Sequence, residues 1–124
     1  MELKRVVITG LGALTPIGNN HKEYWEGLSN GVSGANKITR FDASKFKTQF
    51  ACELKNFDSK YFFDRKEIRK HDAYAQYGLI TAGQALEDSG VDLEKIDKDR
   101  AGVIWASGIG GLGTFEQEVG DYTL

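Results

Sequence analysis

With 124 residues, 40% of them apolar and 27% charged, the chain has material for one modest domain and is not disordered by composition. A formal net charge of −2 excludes a global pull toward nucleic acid or an anionic membrane, so a charged partner has to be met by a local patch. Cys52 is the one cysteine, which excludes an internal disulfide; the opening residues lack the pattern of a signal peptide, and no run approaches the roughly 18 apolar residues of a membrane span. A cytoplasmic protein with no membrane and no nucleic-acid partner is expected.

In chain order, Arg5-Val-Val-Ile-Thr9 is short, β-branched and continuous, the pattern of a strand buried on both faces of a parallel sheet. It leads into a turn-rich loop, Gly10 to Gly18. Asn20 then reads as a helix N-cap with Glu23 completing a capping-box-like pair, Tyr24, Trp25 and Leu28 as the apolar face, and Gly31 as the stop. Residues 32–64 carry Phe41, Phe46, Phe50, Leu54, Phe57, Tyr61, Phe62 and Phe63 without a sustained period. That predicts an irregular layer held by aromatic anchors, with one short hairpin near Thr48–Leu54.

The pattern turns helical from Arg65. The spacing of Ala75, Leu79, Ala82 and Leu86 predicts a helix over 71–89, ended by Gly90; Tyr74, Gly78 and Ala85 on the neighbouring face mark it as a central, buried one. The charged stretch Asp92–Arg100 is expected on the surface. Gly102-Val-Ile-Trp-Ala-Ser107 predicts a second buried strand, followed by a glycine loop and a helix over Thr114–Tyr122. Two parallel-type strands fall short of the roughly five or six of an average sheet. The chain therefore reads as the front of a larger α/β fold, incomplete in these residues.

Gly108-Ile-Gly-Gly-Leu-Gly113 matches G-x-G-x-x-G between a strand and a helix, a setting in which backbone N–H groups can cradle a pyrophosphate. The fingerprint also needs an acidic residue about 20 positions on, and Leu124 comes before that point. A close-packing loop is the plainer reading; a loop bordering a substrate pocket is the third. In Gly10-Leu-Gly12, Thr15 stands where a third glycine belongs, which leaves turn chemistry. Lys66, Arg69 and Lys70 fall at i, i+3 and i+4, so they share one helical face: a solvated face or a docking patch for an acidic partner. Cys52 has no neighbour in sequence that would activate its thiol, and His21 and His71 have no metal-ligand spacing. No metal site and no catalytic residue is assigned.

Several motifs in register carry a more specific signal. Val6-Val-Ile-Thr-Gly-Leu-Gly-Ala-Leu-Thr-Pro-Ile-Gly18, Gly34 followed by Arg40-Phe-Asp42, Arg65-Lys-Glu-Ile-Arg-Lys-His-Asp-Ala-Tyr-Ala-Gln-Tyr-Gly78, Asp88-Ser-Gly90 and Ser107-Gly-Ile-Gly-Gly-Leu-Gly113 together resemble the elongating β-ketoacyl-acyl-carrier-protein synthases. The bacterial synthase II branch is nearer than synthase I or polyketide relatives. The resemblance covers nearly the whole chain. It implies that residues 1–124 are the amino-terminal portion of a thiolase-like, layered α/β/α/β/α fold in a homodimer.

The implied chemistry is decarboxylative condensation of acyl- with malonyl-loaded acyl carrier protein, using a cysteine nucleophile and two histidines and no cofactor. That cysteine belongs to a Thr-Ala-Cys-type motif expected beyond residue 124, with the histidines later still. Cys52 does not match the motif, so the chain alone is expected to be inactive. By the same resemblance Lys66, Arg69 and Lys70 form the carrier-protein docking patch, and Ile109 lies beside the acyl pocket as its gate. The rival readings are a non-catalytic chain-length-factor-like subunit and a dinucleotide-binding fragment.

Overall fold

The computed structural model describes residues 3–123; Met1, Glu2 and Leu124, counted in the expected amino-terminal portion, lie outside the described residues. Helix α1 spans His21–Ser29. The Asn20 side chain accepts from the N–H groups of Lys22 and Glu23, both at 3.0 Å. Glu23 reaches back one residue further than a capping box requires, taking the N–H of Asn19 at 2.8 Å. At the other end Gly31 has φ +66°, and its N–H reaches Leu28 O at 3.1 Å while Val32 N–H reaches Gly27 O at 2.9 Å. These two bonds are the Schellman pattern, and they satisfy carbonyls that a helix end leaves open.

The layer over 32–64 is irregular and aromatic, as its composition suggested. The expected hairpin at 48–54 is corrected: only β2 (Phe50–Ala51) lies there, and its antiparallel partner is β1 (Asn36–Lys37), further back in the chain. The intervening loop carries its own contact, an edge-to-face pair of Phe41 and Phe46 at 5.7 Å. Phe57 stacks on Phe62 at 6.0 Å and meets Tyr77 edge-on at 5.4 Å. The Tyr77 hydroxyl also lies 3.3 Å from Arg40 Nη2, so one tyrosine anchors two parts of the layer to the central helix.

That helix begins later than the periodicity indicated. Helix α2 covers Arg65–Lys70 and helix α3 covers Ala73–Ser89, with His71 and Asp72 in β-region conformations between them. A capping box formed by Asp64 and Glu67 starts α2. The Gln76 amide, buried inside α3, donates to His71 O at 2.7 Å and Ile68 O at 3.2 Å. It thereby satisfies carbonyls at the end of α2 and fixes the corner between the helices. Gly90, with φ +61°, ends α3.

The two expected strands form no ladder: residues 5–9 and 102–107 pair with no other segment. A β-ladder requires a neighbouring strand, and none is present beside them among the described residues. The residues that follow 5–9, and Trp105 with the loop after it, nevertheless lie along α3. Gly10 lies on the backbone at Ala85 and Ser89, and Gly12 at Thr81; a side chain at either glycine would collide with the helix. Trp105 lies on Gly78, Gly110 on Tyr74 and Gly111 on Asp72. The stretch after each segment therefore advances along α3 from its carboxyl end toward its amino end.

Side chains of α3 secure the first of them. Gln84 Oε1 accepts from Ala13 N–H at 2.9 Å while its Nε2 donates to Asn19 O at 2.8 Å, and Asp88 accepts from Leu11 N–H at 2.9 Å. The buried apolar set is thin, Ala43 and Ile80 among the described residues, and α3 is half-buried rather than enclosed. Asp92–Arg100 is exposed except for Ile96 and contains a single 3-10 turn at Lys98–Arg100. Helix α4, Leu112–Thr123, starts two residues before the expected point and takes Gly113 into its first turn.

Candidate functional site

Helix α2 turns half-buried Ile68 toward the protein and leaves Lys66, Arg69 and Lys70 exposed. Glu67, the acid within the helix, is drawn back to the N–H of Asp64 at 3.3 Å. Among the described residues none of the three cations forms a salt bridge; the ion pairs are His21–Asp88, Lys60–Asp58, Lys95–Asp92 and Lys98–Glu94. Lys66, Arg69 and Lys70 thus present uncompensated positive charge on one short, rigidly capped helix. Such a surface attracts carboxylate or phosphate groups from a distance and steers their approach.

Ile109 stands at the tip of a tight loop, 78% exposed. Below it, the N–H of Gly110 donates to Ser107 Oγ at 3.0 Å, and Gly110 has φ +75°, a conformation costly for a residue with a β-carbon. The loop meets the α2–α3 corner at Asp72. A β-carbon on Gly111 would drive into the Asp72 carboxylate, and the Thr114 hydroxyl, one turn into α4, hydrogen-bonds to Asp72 Oδ2. The basic helix and the Ile109 loop are therefore neighbours across one carboxylate. Asp72 and Gln76 escaped sequence reasoning, because nothing in the local pattern sets them apart from the other polar residues of this stretch.

The same contact decides against reading the glycine loop as a phosphate cradle. Gly111 closes on the Asp72 carboxylate, and a pyrophosphate there would meet a like charge. The loop is a close approach of backbone to a neighbouring element. Gly10 and Gly12, read as turn residues, serve close approach as well.

Cys52 is a free, exposed thiol in an open cleft with Ile38, Arg40, Phe41, Glu53, Leu54 and Tyr77, and no histidine lines it. His21 Nε2 lies 3.6 Å from Asp88, and His71 contributes its backbone to the end of α2. Beside the cleft the Tyr77 hydroxyl raises the pKa of Arg40 above the usual arginine range. The Thr39 hydroxyl, at 2.6 Å, and the Thr39 N–H hold Glu53 below the usual glutamate range. Among the described residues no cluster of three histidine, cysteine, aspartate or glutamate side chains forms a metal-binding group.

Residues 3–123 match the family described as "Beta-ketoacyl synthase, N-terminal domain". Over 117 residues the chain is 47% identical to 3-oxoacyl-[acyl-carrier-protein] synthase 2 of Coxiella burnetii, covering 94% of this chain and 28% of that protein. The synthase 2 of Synechocystis is 43% identical over 95% of this chain and 28% of its own length. That of Staphylococcus aureus strain COL is 48% identical over 91% of this chain and 27% of its own length. The chain thus spans little more than a quarter of the curated relatives it matches.

Among solved structures, the ishigamide ketosynthase/chain length factor superposes with a TM-score of 0.69 at 30% identity, covering 93% of this chain and 30% of that one. AntDE:AntF, a type II PKS acyl-carrier protein in complex with its ketosynthase bound to the hexaketide, superposes with a TM-score of 0.76 at 26% identity, covering 98% and 32%. The backbone is thus ketosynthase-like, in keeping with a thiolase-like α/β fold.

Proposed function

The chain belongs to the β-ketoacyl synthase family, as the amino-terminal domain that the family description names, and on that premise we propose that its protein is a 3-oxoacyl-[acyl-carrier-protein] synthase of fatty-acid elongation. The observation that carries the reading is the 43–48% identity to synthase 2 proteins across more than nine-tenths of the chain. In this reading residues 1–124 are the amino-terminal portion of a layered α/β/α/β/α fold, and the enzyme is a cytoplasmic homodimer without a cofactor.

The reaction has two covalent stages. A cysteine thiolate attacks the acyl thioester and displaces the carrier thiol. Malonyl-carrier then loses carbon dioxide, the electron pair of the broken carbon–carbon bond becomes an enolate, and its carbon attacks the acyl-cysteine. The cysteine leaves as thiolate, and 3-oxoacyl-carrier is released. Histidine donors stabilise the enolate oxygen. None of these groups maps onto the described residues, and Cys52 is assigned no part.

This segment contributes delivery instead. Lys66, Arg69 and Lys70 receive the acidic carrier protein, acyl- or malonyl-loaded. Ile109 stands beside the entry of the acyl chain as its gate. Support for a carrier partner comes from the ketosynthase relative solved with its carrier protein.

A second reading, a chain-length-factor-like subunit without a nucleophile, is favoured by one observation, the 30% identity to the ketosynthase/chain length factor structure. Incubating the full-length protein with acyl-carrier and malonyl-carrier separates the two. Release of carbon dioxide with formation of 3-oxoacyl-carrier supports the synthase. A protein that forms no acyl-enzyme and no product overturns it in favour of the subunit.

A further inference from the structure

Asp72 occupies the N-cap of α3, a position where aspartate ordinarily accepts hydrogen bonds from the first free amides of its own helix. It makes no such bond. Its carboxylate is turned away, to the Thr114 hydroxyl and the backbone at Gly111, about forty residues further along the chain. The helix forgoes a side-chain cap, and the loop gains an anchor. Gly111 is bare where any β-carbon would strike this carboxylate, and a β-carbon at Gly110 would meet the Tyr74 ring at 3.6 Å. On the other side of the corner, Gln76 ties the carbonyls of Ile68 and His71 to α3. The chain of contacts from Arg69 and Lys70 through Asp72 to Ile109 is therefore short and passes through the Asp72 side chain.

We infer that Asp72 is a positioning residue for acyl-chain entry: through Thr114 and Gly111 it locks the Ile109 loop to the helix that carries the carrier-docking cations. The inference rests on the synthase reading above. An anchored loop holds the Ile109 side chain at one place relative to a docked carrier. A released loop lets that side chain drift across the path of a long acyl chain, while a short chain needs less of that path.

The test uses the full-length enzyme and compares kcat/KM for a long acyl-carrier with that for a short one. Thr114→Val removes the hydroxyl that Asp72 holds and leaves Asp72 in place. It should change the long-to-short ratio by about tenfold, the order a hydrogen bond to a charged group is worth. Thr114→Ser keeps the hydroxyl and should restore the ratio. Asp72→Ala removes the same bond from the other side and should reproduce the shift, so the experiment survives poor folding of one variant. Amide exchange at 108–111 should speed up in Thr114→Val and stay slow in Thr114→Ser. An active enzyme whose ratio is the same in all four proteins overturns this inference alone. Unmodified full-length protein that condenses neither substrate overturns the synthase reading, and the inference with it.

Discussion

Gly78 lies directly beneath the indole of Trp105: a β-carbon at Gly78 would stand 2.8 Å from both Nε1 and Cε2 of the ring. The glycine is buried in α3, where its backbone entropy costs about 1 kcal/mol relative to alanine. Its retention there is explained by the ring, which packs on the helix backbone and holds residues 102–107 against α3. In the full-length protein Gly78→Ala should gain helix propensity and still lose stability, because the indole has to move. The expected net loss is about 1–3 kcal/mol, the range for overpacking a filled contact, read as a lowered melting temperature. A melting temperature equal to or above that of the parent protein would show that the indole has room to shift.

The contrast between Gly31 and His71 shows how far the sequence carried. Asn20, Gly31 and Gly90 were legible because a cap is a local bargain between a side chain or a φ angle and the nearest turn of backbone. The α2–α3 break at His71–Asp72 was not, because the helical pattern runs across it; the break is set by Gln76 and Thr114 from outside the segment. The apolar runs at 5–9 and 102–107 read as buried strands but are exposed and unpaired here, because a ladder depends on a neighbour the pattern cannot supply. The basic face of α2 followed from its i, i+3, i+4 spacing. That it borders the Ile109 loop came only from the contact with Asp72.

The sheet between β1 and β2 carries a pH lever. Glu53 accepts the Thr39 hydroxyl, its strongest influence, and the Thr39 N–H; both favour the carboxylate and lower its pKa. A depressed folded-state value adds stability above the ordinary glutamate range, and that stability is lost as pH falls through the depressed value. Thr39→Val should return Glu53 toward the ordinary range and reduce the acid dependence of local stability around 36–53. Carboxyl titration of labelled glutamate by NMR checks this. A Glu53 midpoint that does not rise in the variant would show that Arg40, the weaker influence, holds the carboxylate instead.

Residues 1–124 prepared alone should not behave as a well-packed domain. Ile104 is 99% exposed and Val6 88%, both in segments with unpaired backbone, an arrangement that invites association edge to edge. The isolated chain should aggregate or bind a hydrophobic dye with a broad thermal transition, and it should condense no acyl-carrier with malonyl-carrier. A monodisperse monomer that melts cooperatively would contradict the first expectation. Product above a no-enzyme control would contradict the second.

Lys66, Arg69 and Lys70 are exposed and free of ion pairs within the described residues, so their charge is directed outward. Rim charges of this kind mainly accelerate encounter with an acidic partner, and salt screens them over a Debye length of about 10 Å at 0.1 M. In the full-length enzyme Lys66→Glu with Arg69→Glu should raise the apparent KM for acyl-carrier protein while leaving the melting temperature unchanged. Each solvated pair lost is worth about 0.5–1 kcal/mol, and reversal adds repulsion, so the double variant should exceed the corresponding double alanine variant. The difference between variant and parent should narrow as ionic strength rises. A small thioester that lacks the carrier protein should be processed at the parent rate, since it never meets the patch. Equal slowing on carrier-bound and carrier-free substrates would make α2 a structural element, and its cations a solvated face rather than a docking surface.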